Sequence, residues 1–418
     1  MTKETTVRCE VRGFRTSYGS QYIQFDIGSD LVMRAEGEFG RRGLSPIAAD
    51  LVDLGAAVYQ IERQLRGRQR TNPAVKFDLH IALRDPGSWT TPALTALTAI
   101  LADLGNAEWD VKVHQRRDIQ VAGHQRNTER KVDRVVLLSG GLDSASGAAT
   151  CKANASRTCL VSFYTRQKAS QRDISKMLGF HPPVQWRMSR RPGGRGHTFR
   201  YRSFFFLCLG VAVADSWEAR KVLQYENGVL ATAMPPGPSW FMTRHAYPVM
   251  QAQMATLAGA LLGGTWSVEN PFLQLTKRQC LEAARRVAGT QMMEEVAART
   301  ETCWFHWSNR TAGGLKAPGI PCGVCVPCIV RRTALSDGAY AWDLCEDEVK
   351  NDLYHGRAFR AYYGFLSDVH SAGDSLSKFY GLMPAAGREL YVRDIFTLQE
   401  FLDLFGRFAC EFMETFQP

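Results

Sequence analysis

The sequence has no long apolar run and no sign of a secretory leader. No stretch approaches the roughly 18 consecutive apolar residues of a membrane-spanning helix, and the opening residues, MTKETTVRCEVRG, lack the apolar core of a signal peptide. We therefore expect a cytoplasmic protein with no membrane partner. Hydrophobic residues make up 45% of the chain and charged residues 22%, a balance that disfavours wholesale disorder.

Two further signatures are missing. The GxxxxGK[ST] motif of Walker-type ATPases does not occur, and the 11 cysteines are an odd number scattered over 418 residues, unlike a disulfide framework. In the cytoplasm these cysteines are expected to be reduced. The charge is unbalanced, since 51 Lys and Arg against 41 Asp and Glu give a net charge of +10. This excess fits a polyanionic partner such as a nucleotide or RNA, or a solvated basic surface.

The length exceeds that of one ordinary core and predicts two or three domains. Residues 1–115 are predicted to form an N-terminal α+β domain, because their apolar residues alternate in three segments and recur at helical spacing in two. We expect strands in YIQFDIG (22–28), VKFDLHIAL (75–83) and EWDVKVHQ (108–115), and helices in residues 45–65 and 91–105.

This first domain has no cluster of catalytic residue types. His80 and His114 lie on alternating strands and are interpreted as surface or hydrogen-bonded histidines, so recognition of a protein partner is the expected role of the domain. Residues 116–133 are polar and rich in Arg, which predicts a linker; a basic strip that contacts RNA is the alternative.

The strongest sign of chemistry is a turn near the middle of the chain. RVVLL (134–138) is typical of a central parallel strand, and SGGLDS (139–144) follows it before a stretch of small residues that predicts a helix. Glycines let the backbone approach a ligand, and the first N–H groups of a helix point outward, so this exposed turn predicts a phosphate site. An ordinary tight turn would explain the glycines but not Asp143, a carboxylate expected to bind Mg²⁺, a water or a ribose.

Strands and helices alternate after this turn. The strands are expected in TCLVSFY, PVQWRM and KVLQYENG, and the helices in ASQRDISKMLGF, RYRSFFFLCLGVAVADSWEAR and AYPVMQAQMATLAGALLG. This alternation predicts a doubly wound parallel sheet over residues 134–300, with the ligand at the carboxyl edge of its strands.

Four cysteines form a cluster in the segment 301–340. Cys322, Cys325 and Cys328 have C-x2-C-x2-C spacing, and Cys303 can supply a fourth sulfur ligand for Zn²⁺. An iron–sulfur cluster is the competing interpretation, because the same spacing is a fragment of a ferredoxin-type motif, and His306 can replace Cys303.

The turn and the cysteines together resemble a known family. SGGLDS matches the SGGxDS motif of PP-loop ATP pyrophosphatases, and CGVCVPCIVR, with Arg331, fits the CGxCxxCxxR pattern of QueC, the 7-cyano-7-deazaguanine synthase family. RYRSFFFLCL resembles the family's R-N-x-x-F-L segment and keeps Arg202, and PFLQLTK resembles its P-x-x-x-x-T-K segment and keeps Lys277. The resemblance covers about residues 134–340.

The resemblance implies a PP-loop, HUP-like sheet and a ligase that cleaves ATP to AMP, with ATP, Mg²⁺ and Zn²⁺ as cofactors. ATP would transfer AMP to the carboxylate of a 7-deazaguanine. Ammonia would then attack the resulting acyl-adenylate, giving an amide and, after a second activation, a nitrile. The implied nucleotide ligands are Ser139, Gly140, Gly141, Leu142, Asp143 and Ser144. The implied catalytic residues are Asp143, Ser144, Lys277 and Arg202, although the two basic residues could equally be surface charges.

Departures from the family leave the acceptor open. Residues 1–115 and the tail 341–418 have no counterpart in the short housekeeping enzymes, and TRHAYP (243–248) stands near the place of the family's substrate loop. Long forms of this kind resemble the QatC-type proteins of bacterial antiphage operons. A ligase that modifies a protein partner, the housekeeping synthase, tRNA thiolation and a non-catalytic scaffold that binds RNA all stay open.

The tail predicts several packed helices. Its aromatic residues either form a helical core or stack on nucleic-acid bases. They are Tyr354, Phe359, Tyr362, Tyr363 and Phe365.

Overall fold

The computed structural model describes most of the chain. The described residues are 5–11, 21–27, 30–36, 44–64, 75–105, 107–116, 131–163, 168–190, 200–234, 244–304, 320–335, 340–353 and 355–416. The predicted linker therefore lies largely outside them, as do His306, Thr243 and Tyr354. Within the described residues no helix combines the length and apolar character needed to cross a bilayer.

Ten strands and fifteen α-helices are described. The strands are β1 Thr5–Val11, β2 Gln21–Phe25, β3 Leu31–Glu36, β4 Val75–Leu83, β5 Glu108–Gln115, β6 Arg134–Leu137, β7 Thr158–Phe163, β8 Val184–Arg190, β9 Lys221–Leu223 and β10 Ser267–Glu269. The helices are α1 Pro46–Gln64, α2 Thr91–Gly105, α3 Leu142–Thr150, α4 Lys168–Met177, α5 Arg202–Ser216, α6 Gly228–Ala231, α7 Pro248–Leu262, α8 Lys277–Ala288, α9 Thr290–Ala297, α10 Val326–Arg332, α11 Asp347–Asn351, α12 Arg357–Ala372, α13 Leu376–Leu382, α14 Ala385–Val392 and α15 Leu398–Phe416.

The chain forms two compact units. The first comprises Met1–Leu138, Asn154–Gln224 and Val249–Glu269, and the second comprises Ser139–Ala153, Tyr225–Pro248 and Asn270–Pro418. Both sheets belong to the first unit, and the predicted phosphate turn and the four cysteines belong to the second.

The smaller sheet has the order β2-β1-β4-β5, and all its strands are parallel. The three strands expected from alternation are confirmed, but the parallel pairing makes this an α/β arrangement instead of the expected α+β domain. Parallel neighbours need a crossover, which α2 provides between β4 and β5. On the buried face, Phe77 stacks on Trp109 with ring centroids 4.1 Å apart.

The larger sheet has the order β10-β9-β6-β7-β8-β3 and is parallel except for β3. In chain order the five parallel strands read 3-2-1-4-5, the order of a doubly wound sheet, and the order reverses between β6 and β9. The strands and crossover helices expected after residue 134 are confirmed, and so is a mostly parallel central sheet.

The strand β3 was not expected from the sequence. It comes from the predicted N-terminal domain, yet it pairs antiparallel with β8, from Leu31 opposite Arg190 to Glu36 opposite Gln185. Helix α1 of the same region lies against α5, where a Cβ on Gly55 would come within 2.9 Å of the sulfur of Cys208. Strand β3 and helix α1, both from the predicted N-terminal domain, therefore pack with elements of the larger sheet, and the first compact unit extends past residue 115.

The tail of the second unit is helical, as predicted. Phe359, Tyr362 and Phe365 on α12 are buried, and the Tyr362 ring meets Phe408 of α15 edge to face at 5.9 Å. These aromatic residues form a core between two helices, and of the four base-stacking candidates that the structure describes Tyr363 alone is exposed, at 41%.

Candidate active site and metal centre

The SGGLDS turn begins immediately after β6 and ends inside the first turn of α3. Gly140 has φ +93°, a conformation that favours glycine, and Gly141 caps the helix with extended backbone. The Ser139 and Ser144 hydroxyls lie 2.9 Å apart, and the Gly141 N–H donates to Ser139 Oγ at 3.3 Å. The turn is thus preorganised, with the N–H groups at the start of α3 available to an anion.

Asp143 is buried, not exposed as a turn position suggests, with 6% of its surface accessible. Its Oδ2 accepts hydrogen bonds from Lys277 Nζ and, at 3.1 Å, from Asn227 Nδ2. Its Oδ1 is also buried and accepts no hydrogen bond from an N–H or hydroxyl group of the described residues, although the Glu226 carboxyl, when protonated, hydrogen-bonds to Asp143. A buried carboxylate oxygen without an N–H or hydroxyl donor is a position at which a cation or a ligand hydroxyl can bind.

Lys277 is placed by the capped start of α8. Thr276 is the N-cap, and it forms a capping box with Gln279, so the first helical residue, Lys277, has a fixed direction. The Thr276 hydroxyl also donates to Glu411 Oε1 of α15 at 2.6 Å. Lys277 is 1% exposed, so the surface-charge interpretation of this residue is wrong.

Glu226 and Asn227 were not singled out from the sequence. They come three and four residues after Leu223, the last residue of β9. Asn227 Nδ2 donates to Glu226 Oε1 at 3.1 Å, and Asn227 Oδ1 accepts from the N–H of Leu230. The sequence offered a sign of both residues, since Glu226 and Asn227 end the segment KVLQYEN, which begins as an apolar strand.

The charges of this cluster are close to balanced. Burial raises the pKa of Asp143, but the Lys277 ammonium and the hydrogen bonds outweigh it and the pKa lies below its ordinary value. Burial, and then the Asp143 charge, hold the pKa of Glu226 well above its ordinary value. These directions favour the ionised form of Asp143 and the protonated form of Glu226. A divalent cation would favour ionisation of both carboxyls, and their oxygens are ligands that suit Mg²⁺.

The four predicted cysteine ligands converge in the structure. The sulfur atoms of Cys303, Cys322, Cys325 and Cys328 all lie within 4.8 Å of one another. A tetrahedral ion with Zn–S bonds of about 2.3 Å places its sulfurs about 3.8 Å apart, and the sulfurs of Cys322 and Cys328 are 3.9 Å apart. The cluster can hold a metal such as zinc.

The backbone around the cysteines fits a metal-binding turn. The Cys322 N–H points to the sulfur of Cys303, and the Cys325 N–H to that of Cys322, both at 3.3 Å. Gly323 has φ +82°, and a Cβ there would lie 2.3 Å from the carbonyl oxygen of Trp342. Burial raises the pKa of the Cys325 thiol well above its ordinary value, so a bound cation is needed to stabilise the thiolate.

Two further predicted residues, Arg331 and Arg202, do not take part in the hydrogen bonds around Asp143 described above. Arg331 is buried and donates to Thr300 Oγ1 at 2.6 Å and to the Ala297 carbonyl at 2.9 Å. These contacts indicate a structural role for Arg331. Arg202 begins α5 in the first unit, and its catalytic role stays a prediction.

Comparison with other proteins adds no relative: no family model matches the chain, and no curated protein matches it.

Proposed function

We propose that this protein is a QueC-like, ATP-dependent enzyme that transfers AMP to a carboxylate and so forms a carbon–nitrogen bond. The observation that carries the proposal is the buried Asp143–Lys277 pair beside the Ser139–Ser144 turn. Anion-binding N–H groups, a buried cation and a carboxylate oxygen without an N–H or hydroxyl donor among the described residues occur there together. The PP-loop motif and the cysteine pattern support the same assignment.

A carboxylate resists attack by an amine because oxide is a very poor leaving group. In the proposed reaction a carboxylate oxygen of the substrate attacks the α-phosphorus of ATP, and pyrophosphate leaves with the electrons of the broken P–O bond. The amine nitrogen then attacks the acyl carbon, AMP leaves with the bridging oxygen, and the nitrogen loses a proton. A second activation, at the amide oxygen, would remove that oxygen with AMP and leave a nitrile.

The residues of the cluster have distinct parts in this scheme. The N–H groups of the turn bind the phosphate oxygens, and the Ser139 and Ser144 hydroxyls hold the shape of the turn. Lys277 supplies positive charge and also keeps Asp143 ionised. Asp143 Oδ1 and Glu226 would hold Mg²⁺, which would supply positive charge to neutralise the phosphate oxygens.

Zinc is the metal proposed for the four cysteines, because four sulfur atoms within 4.8 Å of one another match the ligand set of a closed structural zinc site, which leaves no position open for a substrate. Its part is structural.

The substrate and acceptor are also proposals. A 7-deazaguanine carboxylate is the substrate that the QueC-like segments favour, and antiphage defence is the proposed setting because of the added N-terminal region. We assign that region to docking of a protein acceptor. Deleting residues 1–115 would strip β3 from β8 and α1 from α5, so the truncated chain cannot test this role.

The function is tested by mass spectrometry after incubation with ATP, Mg²⁺ and 7-carboxy-7-deazaguanine, with and without ammonium. We expect AMP and pyrophosphate in both cases, and nitrile or amide only with an amine present. Ser139→Ala should reduce AMP formation at least tenfold, since it removes the hydroxyl that orients the turn. Ser371→Ala, at an exposed position of α12, is the matched control. Equal AMP formation by the two variants would refute the assignment of the turn.

A further inference from the structure

One short segment of chain joins the phosphate turn to the cysteine cluster. Residues 300–303 run from the end of α9 to Cys303, and the Glu301 N–H donates to the Gly140 carbonyl at 3.0 Å. This hydrogen bond holds the carbonyl group of Gly140, the glycine with φ +93°. Two residues further along, the sulfur of Cys303 belongs to the metal cluster.

The segment is fixed at both ends. At its start, Arg331 donates to the Thr300 hydroxyl at 2.6 Å, and Arg331 lies on α10, the helix that also contributes Cys328. At its end, Cys303 accepts from the Cys322 N–H. The middle of the segment also lies against the turn, because a Cβ on Gly141 would meet Thr302 Cγ2 at 3.5 Å and the Glu301 carbonyl oxygen at 3.7 Å.

We infer that the four-cysteine centre controls the conformation of the nucleotide turn through the Glu301–Gly140 hydrogen bond. The inference rests on the proposed function and goes beyond it, because it makes the metal a positioning element for nucleotide binding. Metal binding fixes Cys303, Cys303 fixes the segment 300–303, and the segment holds the Gly140 peptide. The turn is then preorganised only while the metal is bound.

The first test needs no nucleotide. The full-length protein is titrated with a chelator, and amide hydrogen exchange is followed in fragments covering Gly141 and Glu301. The expected result is exchange about fivefold to tenfold faster at both amides as metal is lost, the change that one hydrogen bond of ordinary strength provides. Exchange within α15 should not change. No change at the turn would overturn the inference, and so would equal acceleration in α15, which indicates global unfolding.

A second test leaves the cysteines intact. Glu301→Pro removes the N–H that donates to Gly140, and Glu301→Ala keeps it. We expect the proline variant alone to show fast exchange at Gly141 and weaker binding of ATP in calorimetry, by about fivefold to tenfold. If the proline variant exchanges as slowly as the alanine variant, the hydrogen bond does not hold the turn and the inference fails.

A third measurement separates this inference from the proposed function. If ATP binds the turn, linkage requires ATP to raise the affinity for the metal by the same factor by which the metal raises the affinity for ATP. That factor is read from competition with a chelator, with and without ATP. Fast exchange on chelation combined with no ATP binding would refute the proposed function and leave the coupling standing. ATP binding without this coupling would refute the inference and leave the proposed function standing.

Discussion

The Asp143–Lys277 pair gives a prediction about stability that depends on a third residue. Replacing Lys277 by Met removes the cation from a site where the lysine is 1% exposed and leaves the Asp143 carboxylate without its counter-charge. Breaking a buried pair from one side costs about 3–5 kcal/mol. We therefore expect Lys277→Met to lower the free energy of unfolding by about that amount.

Asp143→Asn should cost less. The Asp143 charge is one of the two main reasons why the pKa of Glu226 is raised, so a neutral asparagine lowers that pKa. Glu226 can then ionise at neutral pH and become the counter-charge of Lys277. We expect a loss of about 1–2 kcal/mol, the cost of an imperfect hydrogen-bond arrangement.

The double variant Asp143→Asn, Glu226→Gln removes both carboxylates and leaves the Lys277 cation without a partner. Its destabilisation should exceed the sum of the two single variants by about 1–3 kcal/mol. The assay is urea unfolding at neutral pH without nucleotide or Mg²⁺, with Asp368→Asn on the exposed face of α12 as the matched control. Additive single variants, or a loss for Asp143→Asn equal to that for Lys277→Met, would show that Glu226 does not take over the charge.

Three further predictions concern the metal, pH and the turn. Protein purified aerobically should contain one Zn²⁺ per chain, and Cys325→Ser should lose metal and stability before it loses chemistry, because a structural zinc contributes to folding; stoichiometric iron would contradict this. Burial raises the pKa of Glu411 to about 7, so the folded state keeps a proton that the unfolded chain releases near pH 4.5, and stability should fall as pH rises between these values. Glu411→Gln should therefore be up to about 3 kcal/mol more stable than the parent above pH 7 in urea unfolding, and a parent with flat stability across this window would contradict the assignment. Inorganic pyrophosphate, a phosphate analogue, should bind the parent protein in calorimetry. It should bind the Asp143→Asn variant more weakly than the parent only when Mg²⁺ is present. Equal weakening without Mg²⁺ would show that Asp143 does not bind the metal ion.

Local patterns predicted most of the elements and half of the candidate site. The SGGLDS turn and the closely spaced cysteines are determined by neighbouring residues, so both could be found in the sequence. Seven of the ten described strands were predicted where apolar residues alternate or form short runs, whereas β1, β3 and β10 were not.

The pairing of the site residues depends on contacts between distant parts of the chain, although the family resemblance had already named Lys277. Lys277 is 134 residues from Asp143, and Asn227 is 84 residues from it, so spacing could not show that they meet. The same contacts bury Asp143, which sequence reasoning had placed on an exposed turn. Glu411 was missed for a similar reason, because its partner Thr276 is 135 residues away.

The edge strand β3 was missed because LVMRAE does not alternate clearly and lies within a region that looked independent. A short edge strand is specified more by the strand beside it than by its own residues. Here that neighbour, β8, is about 150 residues away along the chain.

That separation has a consequence for synthesis of the protein. Residues 31–36 leave the ribosome long before their partner, residues 185–190, has been translated. At about 5–20 residues per second the wait is roughly 8–30 s, which is long compared with the microseconds in which a hairpin forms. During that time the strand that begins with the apolar residues Leu31, Val32 and Met33 has no neighbour with which to pair, so the newly made N-terminal region is a natural substrate for chaperones. We expect a nascent chain arrested at residue 170 to be captured by them, and one arrested beyond residue 230 to be released.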